Sequence, residues 1–181
     1  YEEPYNLARK FASLDALSDG RAGWNVVTTI GDDTARNFGF EKQLAATDRY
    51  ERANEFVDTV TQLWNSWEDD AFIRDQASGR YFDPAKVHPP HHRGKHFSVA
   101  GALNVGRSRQ GHPVVVQAGQ SEPGLDLAAR TAEVVFTAQQ SLADAQAFYG
   151  NLKGRLARYG RSPDALKIMP GVSVYVGKTE A

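Results

Sequence analysis

The spacing of apolar residues predicts two long helices in the first third of the chain. The stretch "PYNLARKFASLDALSDG" carries apolar side chains every three or four residues, which predicts a helix between Pro4 and Gly20. A second helix is predicted from about Asp48 to Trp67 by a broad apolar stripe. The stripe consists of Ala53, Phe56, Val57, Val60, Leu63, Trp64 and Trp67. We interpret this stripe as the face that packs in the core.

Between the two helices, "AGWNVVTTI" predicts a strand at residues 22–30, with Trp24, Val26 and Val27 in the core. A polar loop through "DDTARNFGFEKQ" follows the strand. Residues 68–113 form an irregular insertion that carries prolines, acidic residues and all five histidines. Because long structureless loops are uncommon in compact domains, we expect short strands or turns within it, and we interpret it as a lid over the site.

Strand and helix patterns alternate over the last third of the chain. "HPVVVQAG" predicts a strand buried on both faces, and two further strands are predicted at "EVVFTA" and "ALKIMPGVSVYVG". Helices are predicted at "SEPGLDLAARTA" and at "SLADAQAFYGNLKGRLARYG", and "KTEA" resembles the start of another. This order favours an α/β fold with a parallel sheet and right-handed crossovers, either half a barrel or a small doubly wound sheet.

The composition of the chain disfavours several classes of protein. The chain of 181 residues is long enough for a single domain over 1–181, and its 21 basic and 22 acidic side chains do not favour nucleic-acid binding. No apolar run approaches the length of a membrane span, so we expect no membrane association. The absence of cysteine excludes disulfides and thiolate sites and is compatible with a cytoplasmic location.

Polar residues at strand ends are the first candidates for a site, because parallel α/β folds place their sites at the carboxyl ends of the strands. Asn25, Thr28 and Thr29 lie at the end of the first strand. Gly119 and Ser121 lie in "QAGQS" after the next, where a glycine and a helix N-terminus are typical of phosphate binding. The alternative is that Ser121 only caps its helix.

Two further candidates stay open on the residues alone. "HPPHHRGKH" concentrates histidines that could bind a metal, although the prolines prevent a shared helical face and a solvated loop is the favoured interpretation. Tyr50 lies at the start of the second helix, from where its side chain could reach a site at the strand ends.

Several stretches together resemble a known family. These are "NLARKFASLDALSDGRAGWNVVTT", "DRYERANEFVDTVTQLWNSW", "GKHFSVAGALNVGRSRQGHPVVVQAGQS" and "GRSPDALKIMPGVSVYVGKTEA". They are similar to the bacterial-luciferase-like flavin-dependent monooxygenases, in the group of nitrilotriacetate monooxygenase component A and dibenzothiophene-sulfone monooxygenase. The resemblance implies a (β/α)₈ TIM barrel, of which this chain would supply about strands four to seven. An isolated half barrel would expose sheet edges, so we expect further chain or partner chains, such as a homo-oligomer, to cover them.

The resemblance also implies a two-component reaction. A separate NAD(P)H-dependent flavin reductase would transiently supply reduced FMN, which would react with O₂ to a C4a-peroxyflavin and oxygenate a small organic substrate. The cofactor would carry the chemistry, while the protein orients it and excludes water. The alternative is a non-catalytic flavin- or phosphate-binding barrel.

The resemblance assigns site residues as well. It places Asn25, Thr28 and Thr29 beside the flavin, and Tyr50 and Ser121 at its phosphate end. The sequence departs from the family where Ala46 and Gln43 stand in place of common histidines. An alanine cannot donate the hydrogen bond that an imidazole would give to flavin or substrate.

Overall fold

The structure, a computed structural model, describes residues 1–177. The predicted helix start at "KTEA" therefore lies outside the described residues. The chain divides into two compact units, Tyr1–Val114 and the part from Val115 onward. Each unit is described separately below. No helix within residues 1–177 is long and apolar enough to cross a membrane.

Two helices form the framework of the first unit, as predicted. Helix α1 spans Pro4–Leu17, with the proline in its first turn, and α3 spans Ala46–Trp64. Trp64 joins them, because its indole Nε1 donates a hydrogen bond of 3.0 Å to the carbonyl oxygen of Ala8. Most of the predicted stripe is the buried face of α3, since Phe56, Val57, Val60, Leu63 and Trp64 are all less than 10% exposed. Ala53 is only half-buried, and Trp67 lies beyond the end of the helix, which was predicted to include it.

Strand β1 is shorter than predicted and spans Gly23–Asn25. Burial alternates along the chain, so that Trp24 and Val26 are buried whereas Val27 is 63% exposed. Placing Val27 in the core was therefore wrong, because alternate side chains of an extended segment point to opposite faces.

The apolar spacing did not predict one short helix. Helix α2, Asp32–Arg36, follows Gly31, whose φ of 105° lies in the region that favours glycine. Five residues are too few to show helical periodicity, and we predicted a loop here. The acidic side chains of its first turn stabilise the helix, because they lie at the positive end of the helix dipole.

The irregular insertion at 68–113 contains short elements, as expected. A 3₁₀ helix spans Pro84–Lys86, and strands β2, His92–Arg93, and β3, Ser98–Val99, pair antiparallel. Trp67 anchors the insertion through a 2.7 Å hydrogen bond from its indole to the carbonyl oxygen of Leu103.

Buried Asp15 of α1 provides a second anchor. Its carboxylate accepts hydrogen bonds from the Ala22 amide at 3.0 Å, from Gln110 at 2.6 Å and from the Ser108 hydroxyl. It thereby ties α1 to the segment before β1 and to the end of the insertion.

Parallel strands and helices alternate in the second unit. Strand β4, Val114–Gln117, starts at the unit boundary and is followed by β5, Val134–Thr137, and β6, Lys167–Pro170. Val116 pairs with Val134, and Val134 pairs with Lys167, both in parallel register. The α/β fold class with parallel strands is thus confirmed.

The helices of the second unit cover a small apolar core. Helix α4 spans Glu122–Thr131, and α5 spans Leu142–Arg155 and continues as a 3₁₀ turn to Tyr159. The core consists of Leu125, Ala128, Ala129, Ala132, Val135, Leu152, Leu156 and Leu166. Gly160, with φ 65°, ends the helix where the sequence predicted.

Two strand predictions need correction. In β4, Val115 and Gln117 are buried whereas Val114 and Val116 are only half-buried, so a single face is fully covered. Strand β6 ends at Pro170, and residues 171–177 form no strand. Val172 and Tyr175 in that stretch are 78% and 93% exposed.

Candidate functional site

Three predicted site residues lie around one cavity in the first unit. Asn25 ends β1 with an exposed side chain, and Thr28 and Thr29 follow it half-buried. All three line a cavity of about 410 Å³. Thr29 has a φ of 36°, a conformation that β-branched residues rarely adopt.

Gln43 connects the elements at the rim of this cavity. Its amide nitrogen donates to the carbonyl oxygen of Thr29 at 3.1 Å, and its amide oxygen accepts from the Tyr1 hydroxyl at 2.7 Å. The same oxygen accepts from the backbone N–H of Leu44 at 2.9 Å. The backbone N–H of Gln43 donates to the Asp32 carboxylate at 2.9 Å. These bonds hold the carbonyl group of Thr29 in place despite its unusual backbone conformation.

Aromatic rings form one wall and the floor of the cavity. The ring of Tyr1 stacks on that of Phe38, with ring centroids 4.6 Å apart and an angle of 9° between the planes. The ring centroid of Phe40 lies 5.6 Å from that of Tyr1. Trp24 and Phe56, 6.1 Å apart, lie deeper and are buried. Flat apolar surfaces of this kind favour a planar ring system.

The N-terminal half of α3 contributes charge to the same cavity. Arg49 and Arg52, three residues apart on one helical face, both line it. Nη1 of Arg49 donates to the carbonyl oxygen of Leu44 at 2.8 Å, while its Nε is buried without a hydrogen-bond partner among the described residues. The guanidinium of Arg52 lies 4.4 Å above the ring of Phe97.

Glu55 holds the ring on which Arg52 lies. Its carboxylate, with a side chain only 15% exposed, accepts hydrogen bonds from His92 Nε2 at 3.0 Å and from the backbone N–H groups of His96 and Phe97 at 3.0 and 2.9 Å. Burial acts to raise the pKa of Glu55, but the hydrogen bonds from His92 and from the two N–H groups outweigh it, and the pKa is lowered. The ionised carboxylate therefore fixes the β2–β3 hairpin against α3.

Tyr50 does not belong to this cavity. It is half-buried on a neighbouring face of α3, where its carbonyl oxygen accepts a 2.7 Å hydrogen bond from Asn54. Ala46, one turn earlier, does not line the cavity either, whereas Gln43 does. The role of Tyr50 stays a prediction.

Gly119 and Ser121 lie in the second unit, in the loop between β4 and α4. Ser121 is the N-cap of α4, and its hydroxyl accepts from the Gly124 amide at 3.3 Å. The Gly119 amide donates to the side-chain oxygen of buried Gln117 at 3.1 Å. Ser121 thus caps α4 as expected, and whether it also binds phosphate stays a prediction.

Two of the histidines, His88 and His92, each pair with one carboxylate. His88 contacts Glu68 at 2.7 Å, and His92 contacts Glu55. Within residues 1–177 no three His, Cys, Asp or Glu side chains are arranged to hold a metal ion. The cavity lining also includes no residue of 68–113, so it does not support the interpretation of the insertion as a lid.

Sequence reasoning missed Gln43 as a bridging residue, the two arginines and the aromatic wall. One signal was present for the arginines, because their spacing of three residues places them on one helical face. Nothing local distinguished Phe38 and Phe40, which we assigned to a polar loop.

The family is evident from comparison with known proteins. The family model described as luciferase-like monooxygenase matches residues 1–181. Nitrilotriacetate monooxygenase component A of Aminobacter aminovorans is 58% identical over 181 residues, which is 100% of this chain and 40% of that protein. Dibenzothiophene-sulfone monooxygenase of Rhodococcus erythropolis is 46% identical over 181 residues, again 40% of that protein. The chain thus spans about 40% of the length of these curated relatives.

Solved structures agree with this relationship. A long-chain alkane monooxygenase is 43% identical with a TM-score of 0.94, and the match covers 99% of this chain and 42% of that one. The EDTA monooxygenase of Chelativorans sp. BNC1 is 40% identical with a TM-score of 0.82, covering 94% of this chain and 39% of that one. A riboflavin lyase with modified FMN and riboflavin is 42% identical with a TM-score of 0.87, and the match covers 93% of this chain and 38% of that one. The chain, with the α/β architecture of part of a TIM barrel, therefore belongs to the luciferase-like monooxygenase family.

Proposed function

We propose that this chain belongs to a monooxygenase that uses reduced FMN and O₂ to oxygenate a small organic substrate. The observation that carries the proposal is the cavity at the carboxyl end of β1, lined by Asn25, Thr28 and Thr29. In parallel α/β folds this end of the strands carries the site. Family membership supports the same reaction class.

The residues present are suited to a flavin. A cavity of about 410 Å³ lies within the range of about 300 to 1,000 Å³ that is typical of small-molecule sites. The aromatic wall around Tyr1 and Phe38 suits one face of a planar ring. Bound flavin would supply the oxygen-activating chemistry.

The chain itself would bind, orient and shield. Thr28, Thr29 and Asn25 would provide hydrogen bonds beside the ring, and Gln43 would hold the Thr29 carbonyl group. Trp24 and Phe56 form an apolar floor that keeps water from the deep end of the cavity. Tyr50, Gly119 and Ser121 would contact the phosphate end.

A separate NAD(P)H-dependent flavin reductase as the transient partner and a cytoplasmic location belong to the same proposal. The reductase is supported by the designation "component A" of the nitrilotriacetate relative. A homo-oligomer stays a prediction.

The test is a reduced-FMN turnover assay with the full-length protein. Without substrate the oxygen that reacts with reduced FMN must leave as hydrogen peroxide, so the rate of peroxide release is the readout. We expect FMN to bind saturably and bound reduced FMN to release peroxide more slowly than free reduced FMN. Release as fast as from free reduced FMN would instead support the non-catalytic binding barrel. No flavin binding at all would contradict both.

The phosphate-end assignment is tested by Tyr50→Phe. We expect weaker FMN binding with little change in riboflavin binding, because riboflavin lacks the phosphate. Unchanged FMN affinity in a fluorescence titration would remove Tyr50 from the site. The same titration of Gln43→His and Ala46→His measures what the two departures from the family pattern do to affinity.

A further inference from the structure

The cavity contains two cations that have no carboxylate partner among residues 1–177. Arg49 and Arg52 line it, and within the described part of the chain neither forms an ion pair. Other basic side chains of the first unit do form one, for example Lys10 with Glu2 at 2.8 Å and Arg36 with Asp33 at 2.9 Å.

Both guanidinium groups are already held in place. Arg49 donates one hydrogen bond to the Leu44 carbonyl oxygen, and its buried Nε has no acceptor among the residues described. Arg52 lies over the ring of Phe97, which is itself only 6% exposed. A guanidinium carries five N–H donors, so each arginine keeps donors for a ligand.

The other charges around the cavity do not neutralise this pair. Glu2 lines the cavity but binds Lys10, and Glu3, which also lines it, is exposed and lies beyond ion-pair distance from both arginines. Glu55, three residues beyond Arg52, is taken up by the β2–β3 hairpin. Two fixed, partly desolvated guanidinium groups favour an oxyanion, with which arginine forms paired, charge-assisted hydrogen bonds.

We propose that Arg49 and Arg52 form a subsite for a carboxylate of the substrate, which makes an acidic organic molecule the substrate class. The inference rests on the proposed function. A flavin phosphate has the same oxyanion chemistry, but Tyr50, assigned to the phosphate end, does not line this cavity. The carboxylate is therefore the favoured occupant.

The experiment compares two ligands on the full-length protein with FMN bound. Nitrilotriacetate is the acidic probe, and nitrilotriacetamide, with amides in place of the carboxylates, is the neutral probe. Isothermal titration is carried out on the wild type, Arg49→Met, Arg52→Met, Arg49→Lys and Arg52→Lys. Arg109→Met is the control, because Arg109 is 78% exposed and pairs with Asp19 outside the cavity.

We expect each Met variant to bind nitrilotriacetate at least tenfold more weakly, with unchanged FMN affinity and a partial recovery in the Lys variants. The control should match the wild type. The neutral probe should bind weakly to all forms, because it lacks the charge that the guanidinium groups recognise.

Other outcomes overturn the assignment. Met variants that lose affinity for FMN but not for riboflavin would place the flavin phosphate at this subsite. Wild-type protein that binds FMN but not nitrilotriacetate, or variants as tight as the control, would remove the subsite and leave the proposed function standing. Wild-type protein that binds no FMN would refute the proposed function itself and this subsite with it.

Discussion

Glu55 should control the attachment of the β2–β3 hairpin to α3, and Glu55→Ala tests this. The wild-type carboxylate accepts bonds from His92 and from the backbone N–H groups of His96 and Phe97. The contact is close, because a Cβ on Gly94 would overlap the carboxylate. Alanine would leave all three donors without their acceptor.

The expected change in the free energy of hairpin opening follows from the hydrogen bonds that Glu55 accepts. A hydrogen bond to a charged group contributes about 1.5 to 3 kcal/mol, and water replaces part of this where the side chain is not fully buried. We therefore expect the hairpin to open more easily by about 2 kcal/mol, which corresponds to an increase of about 30-fold in the opening equilibrium.

Amide hydrogen exchange measures this opening at the donors themselves. In the full-length protein, peptides covering residues 94–99 should exchange about 30-fold faster in Glu55→Ala. Glu51→Ala is the matched control, because Glu51 also binds the hairpin, through Lys95 at 2.8 Å, but its side chain is 46% exposed. A surface ion pair contributes little, so we expect almost no change in the control. Equal acceleration in both variants, or none in Glu55→Ala, would refute the reasoning.

Three further predictions concern buried or capped groups. Asp15→Asn should destabilise the fold by about 2 kcal/mol in urea unfolding. The NH₂ group of the asparagine would face N–H groups that now donate hydrogen bonds to the buried carboxylate. Ser121→Ala should cost about 1 kcal/mol by loss of the N-cap bond from Gly124, and Ser121→Gly less, as thermal melts can show. The lowered pKa of Glu55 means that its contribution is present above the ordinary glutamate pKa of about 4.3 and is lost as the pH falls through the lower folded value. Acid unfolding should therefore converge for wild type and Glu55→Gln at low pH, and a constant difference would contradict this.

Strong local periodicity explains which elements could be predicted. Helices α1 and α3 and the alternation from β4 to β6 follow from apolar spacing, and Gly160 ends its helix as the sequence indicated. Helix α2 is too short to show a period. Val27 belongs to an apolar run that gave no sign of its exposed face.

The sequence by itself determined the α/β class, the two long helices and the polar end of β1, because each depends on neighbours within a few residues. The tertiary structure decided the cavity. Tyr1 forms a hydrogen bond with Gln43, 42 residues further along the chain, and the indole of Trp64 forms one with Ala8, 56 residues earlier. Pairing of the Glu55 carboxylate with a distant hairpin fixes the ring beneath Arg52. Such contacts join residues that are far apart in the chain, so only the folded chain shows which charges stay without a partner.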